Sequence, residues 1–308
     1  MQLTRRQFVS TGAGIGAGIS LGLPTFAFDE NSGPAVITKR IPKSNEALPV
    51  IGLGTGRWVA AGDQSAIDEL RGALTVFRDM GGRVIDTAPA YRSSEQALGK
   101  LIDQLGLRNA FFLATKVDRA TAEEGRQRME DSLEKLRTAR VDLMQVHNMR
   151  GARKQLTTLL EWQQAERIRY IGITTSRVSE YAEMEQLIGE LPLDFIQLNY
   201  SLRDRKAEKR LLPLAADKGI AVMANRPFGH SHMFEKTAGQ QLPEWAADFD
   251  SASWAQFFLK YVVSHPAVTC TIPGTTRQVH VRDNMGANFG RLPDSATRRQ
   301  QEQLFASL

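Results

Sequence analysis

The amino-acid sequence predicts an α/β protein, a (β/α)8 (TIM) barrel with an N-terminal β-hairpin that closes its bottom. Two observations support this prediction. From residue 50 onward, eight short apolar runs alternate with longer amphipathic segments at spacings of about thirty residues, as in successive β/α units. No glycine-rich phosphate loop follows the first apolar run, although a doubly wound open sheet, the alternative fold, needs one there.

The predicted strands follow in chain order. Residues 35–50 are expected to form the hairpin, ahead of the first barrel strand. The expected barrel strands are residues 50–55, 83–88, 111–117, 141–147, 168–174, 194–200, 219–225 and 268–274.

Helix signals are clearest in two of the segments between the strands. Residues 121–140 begin with Thr121 and early acidic residues, and place their apolar side chains on one face. Residues 251–266 begin with a serine cap and end before a proline. The connection over 228–250 is longer than the others, and long barrel loops are commonly functional.

The first thirty residues differ in kind from the rest. Paired arginines, Arg5 and Arg6, precede a glycine-rich stretch that ends in Thr-Phe-Ala at 25–27. This order is typical of a twin-arginine signal peptide, assigned to residues 1–30, with the barrel domain in residues 35–308. It predicts export to the periplasm or beyond through the twin-arginine machinery. No stable membrane span is expected after cleavage, because the stretch is too short for a spanning helix.

The same stretch contains a glycine pattern that we reject as a phosphate loop. Gly12, Gly14 and Ala17 match G-x-G-x-x-A. That pattern binds a pyrophosphate only where a strand precedes it and a helix follows. An arginine pair precedes it in this chain, and a cleavage site follows.

Composition narrows the class of protein. Of the 308 residues, 42% are hydrophobic and 24% are charged, which is typical of a globular chain. The net charge of +5 comes without a dense basic run, which argues against a nucleic-acid partner. Cys270 is the single cysteine, so a disulfide framework within the chain is excluded, and its apolar neighbours favour a buried structural thiol.

Polar residues end three consecutive predicted strands. Asp86, Lys116 and His147 close the second, third and fourth strands, and Tyr91 follows Asp86 in the adjacent loop. Active sites of such barrels lie at the carboxyl ends of the strands, so these side chains should share one rim. Each residue alone has a structural explanation, such as a turn cap or a core histidine. Four together at neighbouring strand ends favour a site.

The group has a coherent chemistry. A tyrosine with its ordinary pKa of about 10 is a slow proton donor at neutral pH, and an ammonium at Lys116 would stabilise its anion. Asp86 would keep Lys116 charged, and His147 would orient a carbonyl by a hydrogen bond. The sequence therefore predicts a proton relay to a carbonyl oxygen, opposite a hydride donor.

Five motifs carry a resemblance to a known family. They are IDTAPAYRSSEQALGK, FLATKV, LMQVHN, IQLNYS and IPGTTRQVHVRDN, in this order between about residues 50 and 290. In these motifs the chain resembles the aldo-keto reductases, NAD(P)H-dependent (β/α)8 barrels that reduce aldehydes and ketones. The resemblance implies that Asp86, Tyr91, Lys116 and His147 are catalytic, with Tyr91 as the acid in reduction.

The resemblance also implies a cofactor site. The expected cofactor is NADP(H), with NAD(H) as the alternative, because the Arg277 guanidinium suits a 2′-phosphate, although Arg277 could instead be a solvated surface residue. Thr174 and Gln197 would lie near the nicotinamide amide. The complete set of predicted cofactor contacts is Thr55, Thr174, Gln197, Arg226, Phe228, Thr275, Arg277, Asp283 and Asn284.

Several positions depart from the family pattern. Arg92 stands where a glycine usually follows the tyrosine, and Thr174-Thr175 stands for Ser-Asn. Asn225 and Arg226 stand where an aromatic and a small residue are common. We expect Arg92, beside the acid tyrosine, to favour a negatively charged substrate.

Three aromatic or histidine side chains are further candidates. Trp58, after the first strand, is predicted to form an apolar wall of the substrate pocket. His230 and His232 lie in the long connection without a third metal ligand at suitable spacing, so they are expected to line the substrate mouth and no metal is expected.

The functional prediction is an exported aldo-keto reductase acting on a small carbonyl substrate, with a cofactor that stays bound after export. Two alternatives remain open. One is a binding or regulatory protein that keeps the barrel and the cofactor pocket but turns over little, and the other is a barrel isomerase or lyase that uses the same rim.

Overall fold

Eight parallel strands form the barrel in a computed structural model that describes residues 35–59 and 62–308. They follow one another around the barrel in chain order, which confirms the predicted fold class. A two-stranded antiparallel hairpin precedes them. The strands are β1 (Thr38–Arg40) and β2 (Ala47–Pro49) of the hairpin, then β3 (Leu53–Gly54), β4 (Val84–Asp86), β5 (Phe112–Val117), β6 (Val141–His147), β7 (Ile168–Thr174), β8 (Phe195–Asn199), β9 (Ala221–Asn225) and β10 (Cys270–Thr271).

The barrel closes between its first and last strands through isolated parallel bridges, Ile51 to Thr271 and Gly54 to Gly274. Both strands are shorter than the sequence predicted. Pro273 offers no amide to continue the ladder of β10. On the other side of the seam, a Cβ on Gly52 would lie 2.8 Å from the Val84 carbonyl oxygen, so only glycine permits this close approach.

The hairpin closes the bottom of the barrel, as predicted. Ile41, at the end of β1, and Leu48 on β2 are buried in one cluster with the apolar residues inside the barrel. That cluster includes three aromatic rings, Phe112, Tyr170 and Phe195, whose centroids lie 5.6 to 5.9 Å apart. The lower half of the barrel is therefore filled by side chains and leaves no channel there.

Ten α-helices lie in the described part of the chain, most of them in the connections between barrel strands. They are α1 (Gln64–Asp79), α2 (Ser94–Gln104), α3 (Ala122–Leu136), α4 (Ala152–Gln164), α5 (Tyr181–Glu190), α6 (Leu211–Asp217), α7 (His232–Lys236), α8 (Trp254–Ser264), α9 (Gln278–Gly286) and α10 (Ser295–Ser307). Short 3-10 turns cover Arg108–Ala110, Val178–Glu180, Lys206–Lys209, Gly229–Ser231 and Glu244–Phe249.

Both helices singled out in the sequence are present with the expected caps. The Thr121 hydroxyl accepts the amide of Glu124 at the start of α3, and Ser253 caps α8. The long connection over 228–250 contains α7 and a 3-10 turn. Its Trp245 packs against Phe257, with ring centroids 5.4 Å apart, and thus belongs to the core packing.

The two-residue period of the strands separates two layers inside the barrel. Successive side chains of a strand point to opposite faces, so interior positions recur every second residue. On β5, Phe112 and Ala114 belong to the apolar interior cluster, and Lys116 continues the same face at the carboxyl end. On β4, Asp86 follows Val84 in the same way. The interior of the barrel therefore has an apolar layer of side chains toward the bottom and polar side chains at the carboxyl ends of the strands.

The signal peptide predicted for residues 1–30, including Gly12, Gly14 and Ala17, lies outside the described residues. Across 35–59 and 62–308, no helix has the length and apolar character needed to cross a membrane.

Candidate active site

A buried ion pair lies at the centre of the upper barrel. The Lys116 ammonium donates to the Asp86 Oδ2 at 2.6 Å and to the Thr87 carbonyl at 2.8 Å. The side chains of Lys116 and Asp86 are 0% and 2% exposed. Burial opposes the charged form of Lys116, but the Asp86 carboxylate and the Tyr91 side chain outweigh it and raise the pKa of Lys116 above its ordinary value. Lys116 is therefore an ammonium at neutral pH.

Tyr91 lies directly beside this ion pair. It occupies the turn between β4 and α2, where its amide donates to the Ala88 carbonyl. The Lys116 Nζ lies 5.0 Å from the centre of the Tyr91 ring. The ring also meets His147 edge to face, with centroids 6.0 Å apart. The four residues predicted to be catalytic are thus neighbours in space, although their roles rest on chemistry and not on position alone.

His147 is uncharged at neutral pH. Burial, together with the positive charge of Lys116, lowers the pKa of His147 to about 4. A neutral imidazole can still donate one N–H to a carbonyl oxygen. The chain turns sharply after it, because Asn148 and Met149 both have left-handed backbone angles, with φ of 50° and 53°. Such conformations are costly outside glycine and cluster at functional sites.

Two glutamines hold the other oxygen of Asp86. The side-chain amides of Gln145 and Gln197 donate to Asp86 Oδ1 at 3.1 and 2.9 Å. Thr174 Oγ1 donates in turn to the Gln197 Oε1 at 3.0 Å. Thr174 and Gln197, which were predicted to lie near the nicotinamide amide, are thus connected by hydrogen bonds to Asp86 of the predicted proton relay. Gln145 escaped the sequence reasoning, although its place two residues before His147 on a strand put it on the same interior face.

The side chains surround a cavity of about 260 Å³ at the carboxyl ends of the strands. We call it the catalytic pocket. Thr55 also borders it, and its hydroxyl donates to the Asp86 carbonyl at 3.2 Å. Its lining consists of Gly54, Thr55, Gly56, Asp86, Tyr91, His147, Asn148, Thr174, Ser176, Gln197, Asn225, Arg226, Ile272 and Gly274.

A second cavity of about 500 Å³ lies beyond β10, between the loops after β3, β9 and β10 and the start of α9. We call it the adenosine pocket. It brings together five residues predicted to contact the cofactor: Phe228, Thr275, Arg277, Asp283 and Asn284. Arg57 and His280 also line it, and neither was anticipated. The sequence could have suggested Arg57 and His280 only because each lies within five residues of a predicted cofactor contact.

The lining of the adenosine pocket is built for an anion at one end. Arg277 is exposed and forms no ion pair within the described chain, and its amide is held by Thr275 Oγ1 at 3.1 Å. Asp283 at the other end is oriented by Ser253, whose hydroxyl donates to Asp283 Oδ1 at 2.7 Å. A free guanidinium at one end and fixed polar groups at the other fit a phosphorylated adenosine.

Trp58, predicted to form a wall of the substrate pocket, does not line the catalytic pocket. Trp58 is 1% exposed, and its indole N–H donates to the Thr275 carbonyl at 2.8 Å. A large aromatic ring with one donor is most stable when buried with that donor paired. Trp58 therefore supports the loop of the adenosine pocket from beneath.

Two arginines that depart from the family pattern have left-handed backbones. Arg92 has φ of 52° and Arg226 has φ of 50°. This conformation explains why a glycine suits the position after the tyrosine. The Arg226 Nη1 donates to the Ser176 carbonyl at 2.8 Å, at the edge of the catalytic pocket. Arg92 is exposed next to Tyr91.

The two histidines of the long connection lie on the surface. His232 Nδ1 is 3.0 Å from a carboxylate oxygen of Glu235. His230 borders a third cavity beside the catalytic pocket. In residues 35–59 and 62–308, no three His, Cys, Asp or Glu side chains are grouped so as to hold a metal ion. Cys270 is buried inside the barrel, and burial raises its pKa to about 12, which fits a structural thiol.

Comparison with known proteins places these features in context. The sequence profile of the Aldo/keto reductase family matches residues 50–303. The aldo-keto reductase YhdN of Bacillus subtilis is 32% identical over 193 residues, 56% of this chain and 56% of that protein. The methylglyoxal reductase YeaE of Escherichia coli is 29% identical over 245 residues, 77% of this chain and 84% of that protein. The first of these matches thus spans little more than half of the relative.

Solved structures share the fold. An aldo/keto reductase of Klebsiella pneumoniae, determined in complex with NADP and acetate, superposes with a TM-score of 0.71 at 25% identity. The superposition covers 85% of this chain and 93% of the Klebsiella protein.

Proposed function

The chain belongs to the aldo/keto reductase family and is an oxidoreductase, and we propose that it reduces an aldehyde or ketone to an alcohol in an NADPH-dependent reaction. One observation carries the proposal. The fully buried Lys116 ammonium is paired with the Asp86 carboxylate and lies 5.0 Å from the centre of the Tyr91 ring, and Asp86, Tyr91 and His147 line one pocket.

The residues divide the chemistry as follows. The Tyr91 hydroxyl donates its proton to the carbonyl oxygen, and the Lys116 ammonium stabilises the negative charge that develops on the Tyr91 oxygen. Asp86 keeps Lys116 charged. The neutral His147 donates a hydrogen bond to the same carbonyl oxygen and orients it. When bound, the nicotinamide cofactor supplies the hydride for the carbonyl carbon.

The cofactor assignment rests on the adenosine pocket. Arg277 and Arg57 both line it and have no ion-pair partner in the described chain, which favours a ligand with a phosphate there. NADP(H) carries the extra 2′-phosphate that NAD(H) lacks. The Klebsiella relative solved with NADP and the fission yeast relative whose name specifies NADP(+) support the same choice.

A direct assay tests this function. NADPH absorbance is followed with a panel of aldehydes, for the wild type and for Tyr91→Phe, and mass spectrometry identifies any nucleotide that co-purifies. Oxidation of NADPH in the wild type and a large loss in the variant would support the proposal. Tight NADPH binding without turnover would favour a regulatory protein, and conversion of a substrate without NADPH oxidation would favour an isomerase or lyase.

We propose further that the protein is exported through the twin-arginine route, on the strength of Arg5, Arg6 and the stretch that follows them. This route carries folded proteins, so the cofactor would bind before export and stay bound. Replacement of both arginines by lysine should retain the full-length protein in the cytoplasm. Unchanged export would refute the route, and only weak affinity of the purified protein for NADPH would refute a retained cofactor.

A further inference from the structure

A third cavity, of about 410 Å³, opens between the loops that follow β8 and β9, and we call it the side pocket. Arg226 borders both the side pocket and the catalytic pocket. The two cavities therefore share Arg226 as a lining residue. The side pocket is lined by Asn199, Ser201, Arg203, Asp204, Lys206, Arg226, Gly229, His230 and His232.

The lining carries an excess of positive charge. Arg203, Lys206 and Arg226 face one carboxylate, that of Asp204, which leaves a formal charge of +2 with the histidines neutral. None of the three cations forms an ion pair within the described chain. Arg210, which lies outside the pocket, is by contrast paired with Glu185.

The same pattern extends around the mouth of the barrel. Six arginines, each following a different barrel strand, have no carboxylate partner among residues 35–59 and 62–308. An excess of one sign of charge around a cleft raises the local concentration of ligands of the opposite sign. These arginines are Arg57, Arg92, Arg150, Arg203, Arg226 and Arg277.

The side pocket is a separate cavity from the adenosine pocket, and the two have no lining residue in common. The two pockets share the loop after β9, in which Gly229, His230 and His232 line the side pocket while Phe228 and Ser231 line the adenosine pocket, and the remaining adenosine-pocket residues lie mostly toward β10 and α9. The backbone of the loop after β9 is held in an uncommon shape, because His230 and Ser231, like Arg226, have left-handed angles, with φ of 60° and 77°. Burial and the surrounding arginines, Arg226 first, hold the pKa of His230 below its ordinary value.

We propose that the side pocket binds an anionic group of the carbonyl substrate, a carboxylate or a phosphate, while the carbonyl lies at Tyr91. The proposal rests on the function proposed above. Arg226 donates from Nη1 to the Ser176 carbonyl at 2.8 Å and borders both pockets. Arg203 lines the same side pocket, and a guanidinium binds carboxylates and phosphates through paired hydrogen bonds.

The test compares matched anionic and neutral aldehydes. One pair is 4-carboxybenzaldehyde and its methyl ester, and the other is glyceraldehyde 3-phosphate and glyceraldehyde. The ratio of kcat/KM within each pair is measured for the wild type, Arg203→Ala and Arg226→Ala. Arg210→Ala is the matched control, since it removes one arginine whose carboxylate partner lies outside the pocket.

The wild type should favour the anionic member of at least one pair, and Arg203→Ala and Arg226→Ala should lower that ratio by about tenfold or more. The control should keep the wild-type ratio. The pair that responds identifies the group as carboxylate or phosphate. Calorimetric titration with inorganic phosphate should also show weaker binding to Arg203→Ala than to the control, without any turnover.

Three outcomes would overturn the inference. An unchanged ratio in both variants, with neutral aldehydes still reduced, would leave the proposed function standing and remove the subsite. A higher KM for NADPH in Arg203→Ala, with the ratio unchanged, would assign the side pocket to a phosphate of the cofactor instead. Failure of every aldehyde to oxidise NADPH would overturn both the subsite and the function on which it rests.

Discussion

Removal of the charges of Asp86 and Lys116, singly and together, should show that the two residues act as one unit. The variants are Asp86→Asn, Lys116→Met and the double substitution. Each single change leaves one charged group buried at a site that is at most 2% exposed. The double change leaves none. We therefore expect the double variant to be far more stable than the sum of the single effects predicts.

The magnitude follows from the geometry. The 2.6 Å between Lys116 Nζ and Asp86 Oδ2 corresponds to an attraction of about 6 kcal/mol at an effective dielectric constant of about 20. Desolvation of both groups offsets most of this gain, yet removal of one partner from a buried pair costs about 3–5 kcal/mol. We expect a coupling free energy of at least about 2 kcal/mol from the double-mutant cycle.

Urea denaturation of the four proteins measures this coupling. A matched control is the cycle on Arg153 and Glu190, whose nitrogen and oxygen atoms are also 2.6 Å apart but whose side chains are about half exposed. Its coupling should be much smaller, because solvent screens the pair. Additive single effects at Asp86 and Lys116 would refute the reasoning.

The pH dependence of stability and of kcat gives a second measure of the interaction between Lys116 and Asp86. The pKa of Lys116 is raised in the folded protein, so the contribution of its charge to stability is complete below the ordinary value of 10.5 and is lost as the pH rises through the folded value. In Asp86→Asn the carboxylate no longer opposes burial. The ammonium of that variant should then lose its proton at a lower pH than in the wild type, and kcat for reduction should decline with it.

Four further predictions concern single residues. Tyr91→Phe should lower kcat by about a hundredfold or more with unchanged NADPH affinity by fluorescence titration, and a loss under tenfold would contradict its role as acid. Arg277→Ala should weaken NADPH binding relative to NADH by about tenfold. Arg282→Ala, in the helix that begins directly after Arg277 but outside the pocket, should not. His147 has a pKa of about 4, so the unfolded chain binds more protons than the folded protein between about pH 4 and 6.5. The free energy of unfolding should therefore fall as the pH drops through that range, and it should fall less steeply in His147→Gln. Equal slopes in the wild type and the variant would contradict the burial argument. Arg92→Gly should be more stable than Arg92→Ala by about 1 kcal/mol because of the positive φ. Both variants should lower the preference for anionic aldehydes. An unchanged preference in Arg92→Ala would show that the charge at this position does not select anionic substrates.

Part of the site was predictable because barrel geometry converts sequence order into spatial order. Asp86, Lys116 and His147 end consecutive strands, and parallel neighbours in a barrel bring their carboxyl ends to one rim. The identity of each residue and its place at a strand end were therefore enough to group them. The same logic placed the hairpin at the bottom, because it precedes the first strand of a sheet that closes on itself.

Other features depended on contacts between segments that are distant in the chain. Gln145 donates to Asp86 across 59 positions, and nothing near Gln145 in the sequence signals this bond. The burial of Trp58 also depends on its hydrogen bond to the Thr275 carbonyl, which lies 217 positions away. The left-handed backbone of Arg92 is likewise a property of the turn and not of the residue, since arginine has no preference for it.

By itself, then, the sequence determined the (β/α)8 barrel and predicted that Asp86, Tyr91, Lys116 and His147 lie together, because consecutive strands of a barrel end at one rim. Only the tertiary structure decided which cations remain without carboxylates. An ion pair forms between side chains on different loops, as Arg210 and Glu185 do, and no local pattern reveals which arginines lack such a partner. Arg203 and Arg226 lack one in the described chain, and the side pocket beside the catalytic pocket is cationic for that reason.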